Sequence, residues 1–154
     1  MTKLQMAVDP LSMAEALKLA ERVQDVVDIL EVGTPMIVRD GLHPVTAIRK
    51  SCPSLTVLAD TKIVDGGQLE CSDACKAGAD IITVLAAAAD DTVSAVAETA
   101  RRSASSSSAS SLKTSVCPLL CEEVTFLTGN ALRIASLTWA SHMEQAMPST
   151  AIVY

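Results

Sequence analysis

Four short apolar runs, each followed by an amphipathic segment, succeed one another between Leu4 and Arg102 with only brief connections. That alternation constrains the fold more than any other property of the chain. A parallel strand cannot be reached by a tight hairpin and needs a crossover, most often a helix, so a βα rhythm of about 25 residues per unit predicts a parallel sheet flanked by helices. The strands read as Leu4 to Val8, Val26 to Leu30, the run opening at Leu55, and Asp80 to Leu85. Pro10 ends the first, since it has no N–H for a central ladder. Ser12 with Glu15 forms a capping box for the first helix. Gly33-Thr34-Pro35 reads as a loop, Asp40 to Lys50 as the second helix, about Gln68 to Ala77 as the third with Gly78 as its cap, and Asp90 or Asp91 to Arg101 as the fourth. A length of 154 residues suits one domain.

In folds of this kind the chemistry sits where strands end and helices begin. Three successive strands finish on an acid: Asp9, Glu31 and Asp60. In Leu55 to Gly67 the apolar run gives way to Asp60, Lys62 and Asp65 before Gly66-Gly67, so charge is expected to begin where the strand stops. Alternation along a strand places Asp60 and Lys62 on one side. The pair reads either as a structural ion pair at a strand terminus or as an ammonium aimed at negative charge that develops on a substrate. Neighbouring carboxylates repel unless Lys62 or a divalent cation stands among them, which implies a hard metal such as Mg²⁺.

The formal net charge of −6 and a pI near 4.8 argue against a nucleic-acid or anionic-membrane surface, and no Lys/Arg run exceeds two residues. The longest apolar stretch, Ile81 to Ala89, is broken by Thr83 and is too short to span a bilayer. With no signal peptide evident, a cytoplasmic protein is expected, and its five cysteines are expected to be free thiols. His43 and His142 lie too far apart in sequence to suggest a zinc site with Cys71 and Cys75 or with Cys117 and Cys121.

After Arg102 the character changes. Residues 103–111 contain only Ser and Ala and read as a linker, and 112–154 hold all the aromatic residues, Phe126, Trp139 and Tyr154. Helices are expected at about Asn130 to Met147 and, shorter, at Leu119 to Leu127.

The blocks Leu4 to Asp9, Glu31-Val32-Gly33-Thr34-Pro35, Asp60 to Gly67 and Ala77 to Leu85 resemble the 3-hexulose-6-phosphate synthases, in the same order. These belong to the orotidine 5'-monophosphate decarboxylase suprafamily, which shares the D-x-K-x-x-D motif and a (β/α)8 barrel. The resemblance covers Met1 to about Arg102. It implies a partial barrel of about four βα units and a Mg²⁺-dependent aldol condensation of formaldehyde with D-ribulose 5-phosphate through an enediolate. By the same resemblance Glu31 and Asp60 hold the metal, Lys62 lies beside the enediolate oxygens, Asp9 binds substrate hydroxyls, and Asp65 reaches the partner's site in a homodimer. A sister activity, 3-keto-L-gulonate 6-phosphate decarboxylase, uses the same five positions and is the alternative.

The resemblance also implies further strands, a histidine-bearing strand end and glycine-rich phosphate loops. Only Gly129 follows Gly78, so no such cradle is visible. The chain therefore reads as half a barrel followed by unrelated sequence, as a frameshift or truncation would leave, and an inactive barrel fragment is a further alternative. Half a barrel is expected to leave two unpaired strand edges and an open apolar interior face.

Overall fold

The apolar runs form β1 (Lys3–Ala7), β2 (Ile29–Val32), β3 (Thr56–Ile63) and β4 (Ile81–Leu85), which pair in chain order and all run parallel. This is the arrangement in a computed structural model, which describes residues 3–85, 87–106, 123–126 and 151–152. The connections are α1 (Met13–Val23), α2 (Thr34–Asp40) with α3 (His43–Ser51), and α4 (Gly67–Ala77), and β4 is followed by α5 (Asp90–Ser106). Four parallel strands with their helices make up part of a (β/α)8 barrel.

Local chemistry explains where most elements begin and end. The Ser12 hydroxyl accepts the Glu15 N–H at 3.3 Å while the Ser12 N–H donates to the Glu15 carboxylate at 2.9 Å, which satisfies two free donors at the start of α1. Ala16 and Ala20 are its fully buried positions, and their small side chains let the helix lie close to its neighbours. Gly78 closes α4 in the left-handed region, at φ 100°.

Two expectations in this half are corrected. The helix expected from Asp40 to Lys50 is α3, which starts only at His43, after Gly41 at φ 63° and Leu42, and Asp40 is instead the last residue of an additional helix, α2. The expected loop Gly33-Thr34-Pro35 is instead the start of α2. Pro35 and Pro44 stand in the first turns, where a backbone N–H has no helical partner to lose and a fixed φ favours the helix. The expected Ser/Ala linker is also partly helical. α5 continues through Ser106, in keeping with the good to fair helix propensity of Ala and Ser, and residues 107–111 lie outside the described residues.

Beyond α5, β5 (Glu123–Phe126) pairs antiparallel with β4, and β6 (Ala151–Ile152) pairs antiparallel with β1. The sheet order is β5-β4-β3-β2-β1-β6. A strand thus occupies Glu123–Phe126 within the segment expected to be a helix at Leu119 to Leu127, consistent with the β preference of Val124, Thr125 and Phe126. The helix expected at Asn130 to Met147 lies outside the described residues. The two sheet edges expected to be unpaired are both paired.

The two faces of the parallel sheet differ. Leu30, Val57, Ala59, Ile82 and Val84 point into the main core with Met36, Val45 and Ile48 from the helices α2 and α3. On the opposite face Ile29, Leu58 and Ile81 form a separate apolar layer, each at most 3% exposed, so the face expected to lie open is buried there. One pleat further along the same three strands stand Glu31, Asp60 and Thr83. A layer of hydrocarbon therefore supports a layer of oxygen.

At the other end of the strands, Arg49 of α3 ties the units together. It donates to the carbonyls of Gly78 at 2.9 Å, Pro53 at 2.9 Å and Leu55 at 3.0 Å, and pairs with the Asp80 carboxylate, which also accepts the Val57 N–H. A Cβ at Gly78 would lie 2.7 Å from Arg49 Cγ on a left-handed backbone. Gly78→Ala is therefore expected to destabilise the protein by about 1 to 2 kcal/mol. Urea unfolding followed by circular dichroism checks this, as a lowered midpoint at unchanged slope.

Candidate active site

The acids meet at the ends of the strands toward which the chain runs. Asp9 lies two residues beyond β1, Glu31 is the penultimate residue of β2, and Asp60 and Lys62 lie within β3. The strand does not stop where the charge begins. Leu58 and Ala59 pair with Ile81 and Ile82, but the next pairing joins Ile63 to Val84, so β3 carries two more residues than β4 across this interval. Such a bulge re-aims side chains. Its sign is Lys62, a non-glycine residue at φ 49°. Asp60 and Lys62 do meet, as the alternation argument expected, but across a distorted rather than a regular pleat.

Asp60 is only 6% exposed, and its carboxylate is held on both oxygens. Oδ1 accepts the Thr83 hydroxyl at 2.8 Å and the Lys62 ammonium at 3.1 Å. Oδ2 lies 2.9 Å from Lys62 Nζ and 2.8 Å from the Thr34 hydroxyl, which also approaches the Asp60 carbonyl at 2.8 Å. Burial works against the charged carboxylate. Lys62, Thr34 and Thr83 outweigh it and hold the group below its ordinary pKa.

Glu31 and Asp9 behave in the opposite way. Burial, then the charge of Asp60, with a smaller contribution from Asp9, pushes the Glu31 carboxyl from 4.5 up to about 7 against the opposing Gln5 hydrogen bond and Lys62. Asp9 is also raised, first by burial and then by Asp60, with Lys62 opposing. Its Oδ1 is buried without a hydrogen-bond partner. Gly33 makes room for it: a Cβ there would fall 1.2 Å from that oxygen. Asp65 is exposed in the turn before α4.

Gln5, Thr34 and Thr83 are site residues that a search for charged groups misses. Thr83 had a visible signal, as the polar break in the apolar run from Ile81, and Gln5 is likewise a polar side chain in a short apolar-leaning strand. Among the described residues Cys52, Cys71 and Cys75 are free thiols and His43 is exposed on α3, while Cys117, Cys121 and His142 lie outside the described residues. Among the described residues no helix is long and apolar enough to cross a membrane.

The donor set has features that a hard divalent cation would answer. Three acids share one lysine, two of them are raised by burial and mutual repulsion, and one buried oxygen has no partner. A cation would relieve each of these conditions. No three His, Cys, Asp or Glu among the described residues form a ready ligand cage. The fit is thus to an open site, in keeping with Mg²⁺, which takes one or two carboxylates and fills its remaining positions with substrate oxygens and water.

Comparison with known proteins agrees with this geometry. Residues 2–147 match the orotidine 5'-phosphate decarboxylase / HUMPS family, and the chain belongs to that family. It is 48% identical over 98 residues to 3-hexulose-6-phosphate synthase of Mycobacterium gastri, a match covering 64% of this chain and 47% of that protein. A crystal structure of 3-hexulose-6-phosphate synthase superposes with a TM-score of 0.64 at 46% identity, over 66% of this chain and 49% of that one. For 3-keto-L-gulonate-6-phosphate decarboxylase from Vibrio cholerae the TM-score is 0.64 at 35% identity, over 66% and 47%. The chain spans about half the length of the curated relatives it matches. Those pairwise matches cover 98 residues, whereas the family match continues beyond Arg102 to residue 147.

The raised Glu31 carboxyl carries a pH signature. The unfolded chain releases this proton near pH 4.5 and the folded protein near 7, so in that interval the folded state binds more protons and its stability falls as pH rises. Glu31→Gln is expected to remove this loss. In metal-free buffer, its stability relative to the parent protein should improve between pH 4.5 and 8 by at most about 3 kcal/mol. Urea titrations across that range check the trend, and parallel pH curves would contradict it.

Proposed function

We propose that this chain carries the enediolate-forming half of a 3-hexulose-6-phosphate synthase site, which condenses formaldehyde with D-ribulose 5-phosphate. The observation that supports this most is the grouping of Asp9, Glu31, Asp60 and Lys62 at one end of a parallel sheet, with Lys62 held against a buried Asp60. Identity of 48% and 46% to synthases, against 35% to a decarboxylase, favours the aldol reading over loss of CO₂ from a 3-keto-L-gulonate phosphate.

In this reading the half-buried Asp9 carboxylate receives hydrogen bonds from substrate hydroxyls. The Lys62 ammonium stands beside the oxygens of the ketose and stabilises negative charge as the carbon-bound proton passes to a general base outside these four residues and the enediolate forms. Asp60, kept ionised by its donors, holds that ammonium in place and keeps it protonated. Glu31 and Asp60 would hold Mg²⁺, which when bound supplies further stabilisation of the negative charge. The enediolate carbon then bonds to the carbon of formaldehyde, whose C=O π bond breaks, and the proton held by the base passes to the formaldehyde oxygen. In the same reading Asp65, exposed before α4, would reach the neighbouring site of a homodimer.

Carbon-13 formaldehyde with ribulose 5-phosphate and Mg²⁺, followed by NMR, tests the reaction. A labelled sugar phosphate is expected. No product from the folded chain, with a full-length synthase active in parallel, would leave the inactive fragment as the reading. Lys62→Ala is expected to lower turnover by roughly 10² to 10³-fold or more with the fold intact. Retained turnover would make Lys62 a structural partner only.

Mg²⁺ is expected to raise the melting temperature of the parent protein at pH 8 but not that of Glu31→Gln/Asp60→Asn. A shared site is expected to restore part of the activity when the inactive Asp65→Ala and Lys62→Ala chains are mixed, whereas self-contained sites would give none.

A further inference from the structure

Thr83 is the polar residue of β4 and is 4% exposed. Its hydroxyl lies between two strands and is used in both directions. It accepts the backbone N–H of Lys62 at 2.9 Å and donates to Asp60 Oδ1 at 2.8 Å. One residue earlier on the bulge, the Thr61 hydroxyl donates to the Thr83 carbonyl at 2.9 Å. These bonds fasten the interval in which β3 departs from its register with β4, and in which Lys62 takes its left-handed backbone.

An L-residue other than glycine does not take that conformation without support from its surroundings. We propose that Thr83 is a positioning residue, which fixes the left-handed backbone at Lys62 and the orientation of the Asp60 carboxylate together. A single hydroxyl then sets both members of the ammonium–carboxylate pair. Valine has the same shape but can neither accept the Lys62 N–H nor donate to Asp60, whereas serine can do both. Thr34 provides an internal contrast, because it reaches the Asp60 carboxylate and carbonyl from α2 and makes no bond to the Lys62 N–H.

The kinetic part of the test rests on the proposed function, while the structural part does not. In isotope-labelled protein, the three-bond HN–Hα coupling of Lys62 should report a left-handed residue in the parent, in Thr83→Ser and in Thr34→Val. In Thr83→Val it should move to the extended-strand value, and the Lys62 amide should exchange with solvent roughly tenfold faster or more. Where condensation is measurable, Thr83→Val is expected to lower kcat about 10- to 100-fold with little change in KM, and Thr83→Ser to restore it.

An unchanged Lys62 coupling and exchange rate in Thr83→Val would overturn the proposal whatever the activity. So would a Thr83→Ser protein whose Lys62 coupling became extended, a result that does not depend on the valine variant folding. A parent protein without turnover would defeat the functional reading and leave the NMR comparison to decide the role of Thr83.

Discussion

A carboxylate almost removed from water must be surrounded by donors, and much of the site geometry follows from meeting that need at Asp60. Its partners come from three elements: Lys62 from the same strand, Thr34 from the first turn of α2, and Thr83 from β4. A lone buried charge would cost several kcal/mol. Here the lysine balances the charge and the hydroxyls of Thr83 and Thr34 each meet one carboxylate oxygen. The bulge in β3 is the backbone counterpart of this arrangement. It lets acid and amine converge within one strand while both ends of that strand remain paired to β4.

Around that satisfied acid stand two that are not. Glu31 and Asp9 are raised by burial and by the charge of Asp60, and a buried Asp9 oxygen has no partner. Gly33 shows that the crowding is built in, since any larger residue would collide with the Asp9 carboxylate. Such a cluster weakens the folded state on its own and suits a site that receives positive charge or hydroxyl donors from outside. The layer of Ile29, Leu58 and Ile81 directly beneath supplies the apolar support on which this oxygen-rich layer stands.

The resemblance to sugar-phosphate enzymes picks out Asp9, Glu31, Asp60, Lys62 and Asp65, and the reading of the strand ends picks out the first four of these. The periodicity of the chain announced parallel strands, and acids at successive strand ends announced a charged cluster. Both hold. What periodicity could not reveal was the additional helix α2, because Gly33-Thr34-Pro35 carries loop-forming residues and Pro35 here stands in the first turn of a helix. Nor did it reveal the edge strands at Glu123–Phe126 and Ala151–Ile152, whose few residues carry too little pattern to name their partners.

Sequence by itself determined the βα order, the capping box at Ser12, the left-handed stop at Gly78, and the candidates Asp9, Glu31, Asp60 and Lys62, because each depends on residue type and near neighbours in the chain. Only the tertiary structure decided which of these groups share charge and which hydroxyls serve them. Gln5 meets Glu31 across 26 positions, Thr34 meets Asp60 across 26, and Thr83 meets Asp60 across 23. Strand register sets those meetings, and in β3 the register itself shifts at a bulge that no local spacing encodes.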